Sequence, residues 1–265
     1  MTQTTRRSLL TAGIGGLGLG LWSSRAQAQT EDDPARWLGG TRFINTDHRD
    51  IQSVSETLRS NSNHALDYAQ NVFAFVRDEI KFGFTSGFWH NTASEVLNSR
   101  LGYCNTKSTL FMALLRSGGI PARQVFVDIH KDVLRGLIDP GTPYVDHSYV
   151  EVFLNDQWVA TDAYIVDQAL FEPAQTRLIE EGRILGYGVH QTGSNTWSGS
   201  SPSFSQFNIL DDRTIGTRHW GVFADVEDFY ARAEAPWNRL NPILRSGFGV
   251  FASQANRRAD AIRGS

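Results

Sequence analysis

Gly102 to Pro121 reads GYCNTKSTLFMALLRSGGIP, and the reading of this stretch decides the architecture. Gly102 breaks the chain, and from Cys104 to Ser117 the apolar Leu110, Phe111, Ala113, Leu114 and Leu115 recur at the spacing of a buried helix. Gly118-Gly119-Ile120-Pro121 supplies the stop. Cys104 then stands in the first turn, where unpaired N–H groups and the helix dipole favour an anion, so its thiolate is expected to form more easily. The thiolate is the nucleophilic form. The same position also suits a small buried packing residue, and placement alone leaves both readings open.

On the N-terminal side, Ala65, Tyr68, Ala69, Val72, Phe73, Val76 and Ile80 repeat at helical spacing after the cap candidates Asn61-Ser62-Asn63. An amphipathic helix over 64–80 follows. Thr92-Ala93-Ser94-Glu95 reads as a capping box opening a short helix to about Asn98. Residues 29–60 are polar and irregular and read as a leader segment. On the C-terminal side, 122–129 reads as a strand, and 130–146, with Asp139-Pro140-Gly141 and Pro143, as an inserted excursion. His147–Leu154 and Gln157–Ile165 are two strand patterns around Asn155-Asp156. Beyond Asp167 the reading is an acidic helix near 172–184, a Gly/Ser-rich loop at 186–205, and helix-like segments near 225–234 and 243–263. Helices first and antiparallel strands after make an α+β class.

With Asn155-Asp156 as a two-residue hairpin loop, Leu154 faces Gln157 and Tyr149 lies opposite Asp162. His147 shares the face of Tyr149 by the period of two, so His147 and Asp162 become diagonal neighbours about 7 Å apart or less. An imidazole and a carboxylate can meet there. Any even-length loop keeps this parity, whereas a one-residue slip turns Asp162 to the other face. The chemistry assigns His147 as the group that takes the thiol proton and later protonates the leaving amine, with Asp162 fixing its tautomer. A strand-borne histidine beside an unrelated turn aspartate is the competing reading.

These residues carry a resemblance. Gly102-Tyr103-Cys104-Asn105-Thr106-Lys107 with the helix after it resembles the nucleophile helix of the transglutaminase-like superfamily. His147-Ser148-Tyr149-Val150-Glu151-Val152 and Gln157-Trp158-Val159-Ala160-Thr161-Asp162 resemble its His and Asp strands, in the same order. The resemblance covers about 64–166 and implies a papain-like α+β fold, with Cys104, His147 and Asp162 as a catalytic triad passing through a thioester. Asn105 stands where many members have an acidic residue, and Ala163 where many have proline. The calcium sites of eukaryotic members have no counterpart here. The oxyanion of such a reaction needs donors; the Cys104 backbone N–H is one, and the Trp89 indole N–H is a candidate second, set against simple packing. The implied activity is hydrolysis of a peptide or amide, the bacterial relatives being described as cysteine proteases. The alternatives are a cross-linking transglutaminase and a silent module binding peptide or cell-wall fragments.

The chain has 265 residues, 40% hydrophobic and 20% charged, with a formal charge of −3 and one cysteine. That balance offers no basic field for nucleic acid, and one thiol excludes an internal disulfide or a multi-thiolate zinc site. The seven histidines show no short metal-ligand spacing, so no cofactor and no metal is expected. The N-terminus carries Arg6-Arg7, an apolar run from Leu9 to Trp22 and Ala26-Gln27-Ala28, a small-x-small cleavage signature. Residues 1–28 read as a removable signal of the twin-arginine type, with an uncleaved anchor as the rival. Cleavage removes Arg6, Arg7 and Arg25 and moves the charge from −3 to −6. The expectation is an exported, periplasmic or secreted chain without a membrane span. Its 29–265 region reads as a single domain, with a core at about 64–166 and an accessory region at 167–265. Its partners are a peptide, protein or cell-wall peptide substrate. The C-terminal arginines Arg245, Arg257, Arg258 and Arg263 near Phe248, Val250 and Phe251 suit a docked helix better than a membrane surface.

Overall fold

The computed structural model describes residues 33–208, 215–232, 234, 235, 238 and 248–264. The expected signal, residues 1–28, and Arg245 lie outside the described residues. The elements that follow lie in the compact unit Ala35–Ser265.

Four helices come first: α1 Arg49–Ser60, α2 Ala65–Glu79, α3 Ala93–Ser99 and α4 Cys104–Ser117. The capping box at Thr92 forms as expected, with Thr92 Oγ1 accepting from Glu95 N–H at 3.4 Å and Glu95 Oε2 from Thr92 N–H at 2.8 Å. Helix α1 corrects the reading of 29–60 as irregular. Its apolar face is narrow, Ile51 with Val54 and Leu58, and Ile51 is fully buried in the main core. A polar helix with one apolar stripe gains its stability from that packing rather than from propensity.

Helix α4 is the centre of the molecule. Every residue from Cys104 to Arg116 is buried, polar ones included. Burying them is tolerable because each finds a partner. Lys107 Nζ donates to the carbonyls of Ile80 at 2.6 Å and Arg77 at 3.2 Å, at the C-terminal end of α2. Arg116 donates to Ala122 O, Gly39 O and Ala224 O. Gly118 ends the helix under Tyr68, whose ring would collide with any Cβ there.

The sheet has four antiparallel strands: β1 Ala122–His130, β2 Tyr144–Leu154, β3 Gln157–Thr161 and β4 Ile215–Phe223. Their spatial order is β3-β2-β1-β4. The β2–β3 register is the expected one, Leu154 opposite Gln157 and Val150 opposite Thr161. Asn155 and Asp156 both take positive φ, 50° and 61°, as the favoured two-residue hairpin turn requires. Strand β4 is absent from the sequence reading; it pairs with β1 through register shifts around Val127. One sheet face, with Ala122, Val150 and Val152, packs on α4. The other, with Val125, Val127 and Tyr149, meets Phe204 and Phe207.

Three later helices follow: α5 Gln168–Glu180, α6 Val226–Tyr230 and α7 Phe248–Arg263. Helix α5 starts four residues before the acidic segment read from sequence, because Asp167 caps it, accepting from Leu170 N–H at 3.2 Å. Helix α7 is docked. Asn256 bonds both the N–H and the carbonyl of Phe84, at 2.8 and 2.9 Å. Arg258 donates to Leu137 O, and Arg263 pairs with Asp167 at 2.6 Å and donates to Phe82 O. Two of the C-terminal arginines thus face protein. Among the described residues no helix is long and apolar enough to cross a membrane.

Candidate active site

The thiol is placed by its neighbours along α4. A Cβ on Gly102 would lie 2.8 Å from Thr106 Oγ1, so only glycine lets the chain turn this closely into the helix. Thr106 Oγ1 accepts from Tyr103 N–H at 3.1 Å. Cys104 is the first residue of α4 and 7% exposed, with its own N–H among those that no helical carbonyl can satisfy.

His147 and Asp162 come together through the hairpin. His147 Nε2 lies 3.0 Å from Asp162 Oδ2, and both side chains are buried. The route differs in one detail from the sequence expectation. Strand β3 ends at Thr161, so the Tyr149–Asp162 ladder pair is not formed, and Asp162 N–H donates to Ser203 O at 3.1 Å instead. The side chain still emerges on the expected face. Its second oxygen, Oδ1, accepts from the backbone N–H of Ser205 and from Ser205 Oγ at 3.0 Å. Ser205 therefore belongs to the site, and sequence reading missed it; its segment lies inside the Gly/Ser-rich loop and has no periodicity to betray it. Phe207 packs edge-on to the imidazole, 5.4 Å between centroids. A carboxylate only accepts, so Nε2 carries the proton toward Asp162 and Nδ1 is left as the basic nitrogen.

Cys104 and His147 line one cleft of about 370 Å³. Its aromatic side is Phe82, Phe84, Phe88 and Tyr103, held from behind by the docked helix α7. The 130–146 excursion supplies the opposite side, including Ile138, Asp139 and Asp146. From the Gly/Ser-rich loop at 186–205 no residue lines the cleft.

The residue after the thiol is a hub. Asn105 is fully buried, accepts from Ser148 Oγ at 2.8 Å, and has Cys104 Sγ at 3.6 Å from its Oδ1. Its Nδ2 donates to Tyr230 Oη at 2.7 Å and reaches Asp146 Oδ2 at 3.5 Å, while Tyr230 Oη donates to that same oxygen at 2.5 Å. The residue after the thiol is thus an amide that connects the thiol to a carboxylate on β2.

Electrostatics correct the expectation of an easily formed thiolate. Burial pushes the Cys104 thiol up to about 12, with Asp146 adding to the rise, while the N–H groups of Ser148 and Asn105 pull the other way. Burial and the neighbouring carboxylate both favour the neutral thiol. Burial also raises Asp146, against the hydrogen bonds from Tyr230 and Asn105.

Trp89 is not brought to the cleft wall. It is absent from the cleft lining, stacks on Tyr230 at 4.9 Å and on His90 at 3.8 Å, and its buried Nε1 has no partner among the described residues.

Residues 52–163 match the family model of the transglutaminase-like superfamily. That span holds α2 to β3 with Cys104, His147 and Asp162, and gives the α+β fold a transglutaminase-like core. A crystal structure described as a putative cysteine protease from Cytophaga hutchinsonii aligns at 18% identity with a TM-score of 0.40, over 49% of this chain and 41% of that one. The chain thus spans less than half the length of that solved chain. No curated protein matches the sequence.

Proposed function

We propose that this chain is a thiol enzyme of the transglutaminase-like type that hydrolyses a peptide or amide bond through Cys104, His147 and Asp162. The observation that carries the reading is the buried His147–Asp162 bond of 3.0 Å, made by an imidazole that shares a cleft with the thiol. Nδ1 of His147 takes the thiol proton as Sγ attacks the carbonyl carbon. The oxyanion that develops is stabilised by the Cys104 N–H at the helix start. Collapse of the tetrahedral species expels the amine, which takes the proton from His147, and leaves an acyl thioester on Cys104. Water, deprotonated by the same imidazole, then attacks the thioester and restores the thiol.

The high thiol pKa fits this sequence of steps. Proton transfer coupled to attack needs no standing thiolate, and the imidazolium formed is matched by the Asp162 carboxylate. Residues 1–28 support action outside the cytoplasm, through Arg6-Arg7 and Ala26-Gln27-Ala28. The test is release of a fluorophore from a set of peptide amides by the 29–265 chain, its Cys104→Ala form and its His147→Ala form. Loss of about 10³-fold or more in both variants is expected; turnover undiminished in Cys104→Ala would refute the reading.

A further inference from the structure

The cleft beside Cys104 has an unusual balance of charge for a chain with 25 Lys and Arg residues. Among the described residues, none of those that line it is a lysine or an arginine, whereas two, Asp139 and Asp146, are aspartates. The two carboxylates are not equivalent. Asp139 sits at the rim, largely exposed, and is paired with Lys131 at 3.2 Å. Among the described residues, Asp146 has no lysine or arginine against it, and its nearest ionisable base is His147. Its contacts are the hydroxyl of Tyr230 and the amide of Asn105, both neutral donors, and His147 follows it in the chain. Most of the rest of the wall is apolar, with Phe82, Phe84, Phe88, Ile129, Leu134 and Ile138 among its residues and Thr142 and Gln206 as polar exceptions.

We infer that the cleft selects acyl donors with a bulky apolar residue at the scissile carbonyl and neutral or cationic flanking groups, and that Asp146 is the residue that rejects acidic peptides. This rests on the reading of Cys104 as the nucleophile. The physical ground is twofold. A pocket of about 370 Å³ with aromatic and aliphatic walls holds one large apolar side chain with most of its surface buried. A carboxylate brought into the same cleft finds no lysine or arginine in its described lining to offset its desolvation and lies near the negative charge of Asp146, so specificity arises from a repulsive element as well as an attractive one. A peptide amine or a lysine side chain meets the opposite situation.

The substrate need not be known to test this. Peptidyl acyloxymethyl ketones react when the thiol sulfur displaces a carboxylate from the carbon beside the ketone, forming a thioether and releasing the acid. Three probes on one scaffold carry Phe at the reacting residue and Ala, Lys or Glu next to it; a fourth carries Glu at the reacting residue. Because Cys104 is the one cysteine of the chain, the intact mass of the 29–265 protein reports labelling at a single atom. The expected result is that the Lys probe labels about tenfold or more faster than the Glu probe, with the Phe probe well ahead of that with Glu at the reacting residue. Asp146→Asn should cut the Lys-to-Glu rate ratio about threefold or more, and Asp146→Glu should keep it. The ratio is the readout because a changed thiolate fraction alters both rates alike. Equal or inverted ratios in the wild-type protein, with Cys104 labelled, overturn the inference alone. Failure of every probe to label the folded protein, when the unfolded chain is alkylated normally, overturns the reading of Cys104 as nucleophile.

Discussion

Ser205 holds Asp162 by two bonds to one oxygen, from its backbone N–H and from its hydroxyl at 3.0 Å, and so leaves Oδ2 to His147. The imidazole is thus aimed by a carboxylate that is itself aimed by a loop some forty residues further along the chain.

Removing the hydroxyl alone tests that relay. In Ser205→Ala the backbone bond and the fold remain, and one bond to a charged acceptor is lost, a change of about 1.5 to 3 kcal/mol at most. The expected outcome is a fall in kcat of about tenfold with KM little changed. Asp162→Asn should cost on the order of 10³-fold or more, since an amide no longer enforces the tautomer that leaves Nδ1 basic. Steady-state kinetics of both variants, with circular dichroism as the fold control, decide the matter.

Trp89 gives the converse prediction. Its indole stacks on Tyr230 and stays out of the cleft. Trp89→Phe keeps the stack and removes the N–H, so turnover should stay within about twofold of the parent. A loss of about a hundredfold would restore the indole as an oxyanion donor.

The thiol of Cys104, pushed up to about 12 by burial, should be slow to alkylate in the resting protein. The rate with iodoacetamide should keep rising above pH 9, with no plateau at neutral pH, because the thiolate is the reacting form. Asp146 is the second cause of the rise, so Asp146→Asn should move the curve toward lower pH without bringing it to the ordinary value. A plateau below pH 8 in the parent would contradict the electrostatics described.

Lys107 makes a prediction about stability. Burial pushes its ammonium down from its ordinary 10.5 to about 7. Between those limits the unfolded chain binds more protons than the native one, so this group makes the protein more stable as pH rises through the window and less stable as it falls toward 7. Lys107→Met removes that pH dependence. It also strands the carbonyls of Ile80 and Arg77, at a cost of about 1 to 3 kcal/mol for each one left without a partner. Urea unfolding at pH 7 and pH 9.5 measures both effects.

Much of the site was legible in sequence, for reasons that particular residues make plain. The limits of α4 follow from Gly102 and Gly118, and the meeting of His147 with Asp162 from the parity of a two-residue loop at Asn155-Asp156. What escaped reading depends on distant partners. Helix α1 has only a thin apolar stripe in a polar background and is fixed by its burial against the core. Strand β4 carries Gly216 and Gly221 and is defined by pairing with β1 rather than by alternation. The Ser203–Ser205 clamp exists only because the chain returns to Asp162. The thiol's charge state was misjudged for the same reason: helix position is local, whereas burial and the Asp146 carboxylate are tertiary.

The most direct test of the central claim is intact-mass analysis of the 29–265 protein quenched in acid during turnover of a peptide amide. The account predicts a mass increase equal to the acyl group, located on Cys104 by fragmentation, released by hydroxylamine as a thioester must be, and missing in Cys104→Ala. Turnover with no acyl adduct under any quench condition, or an adduct on another residue, would contradict it.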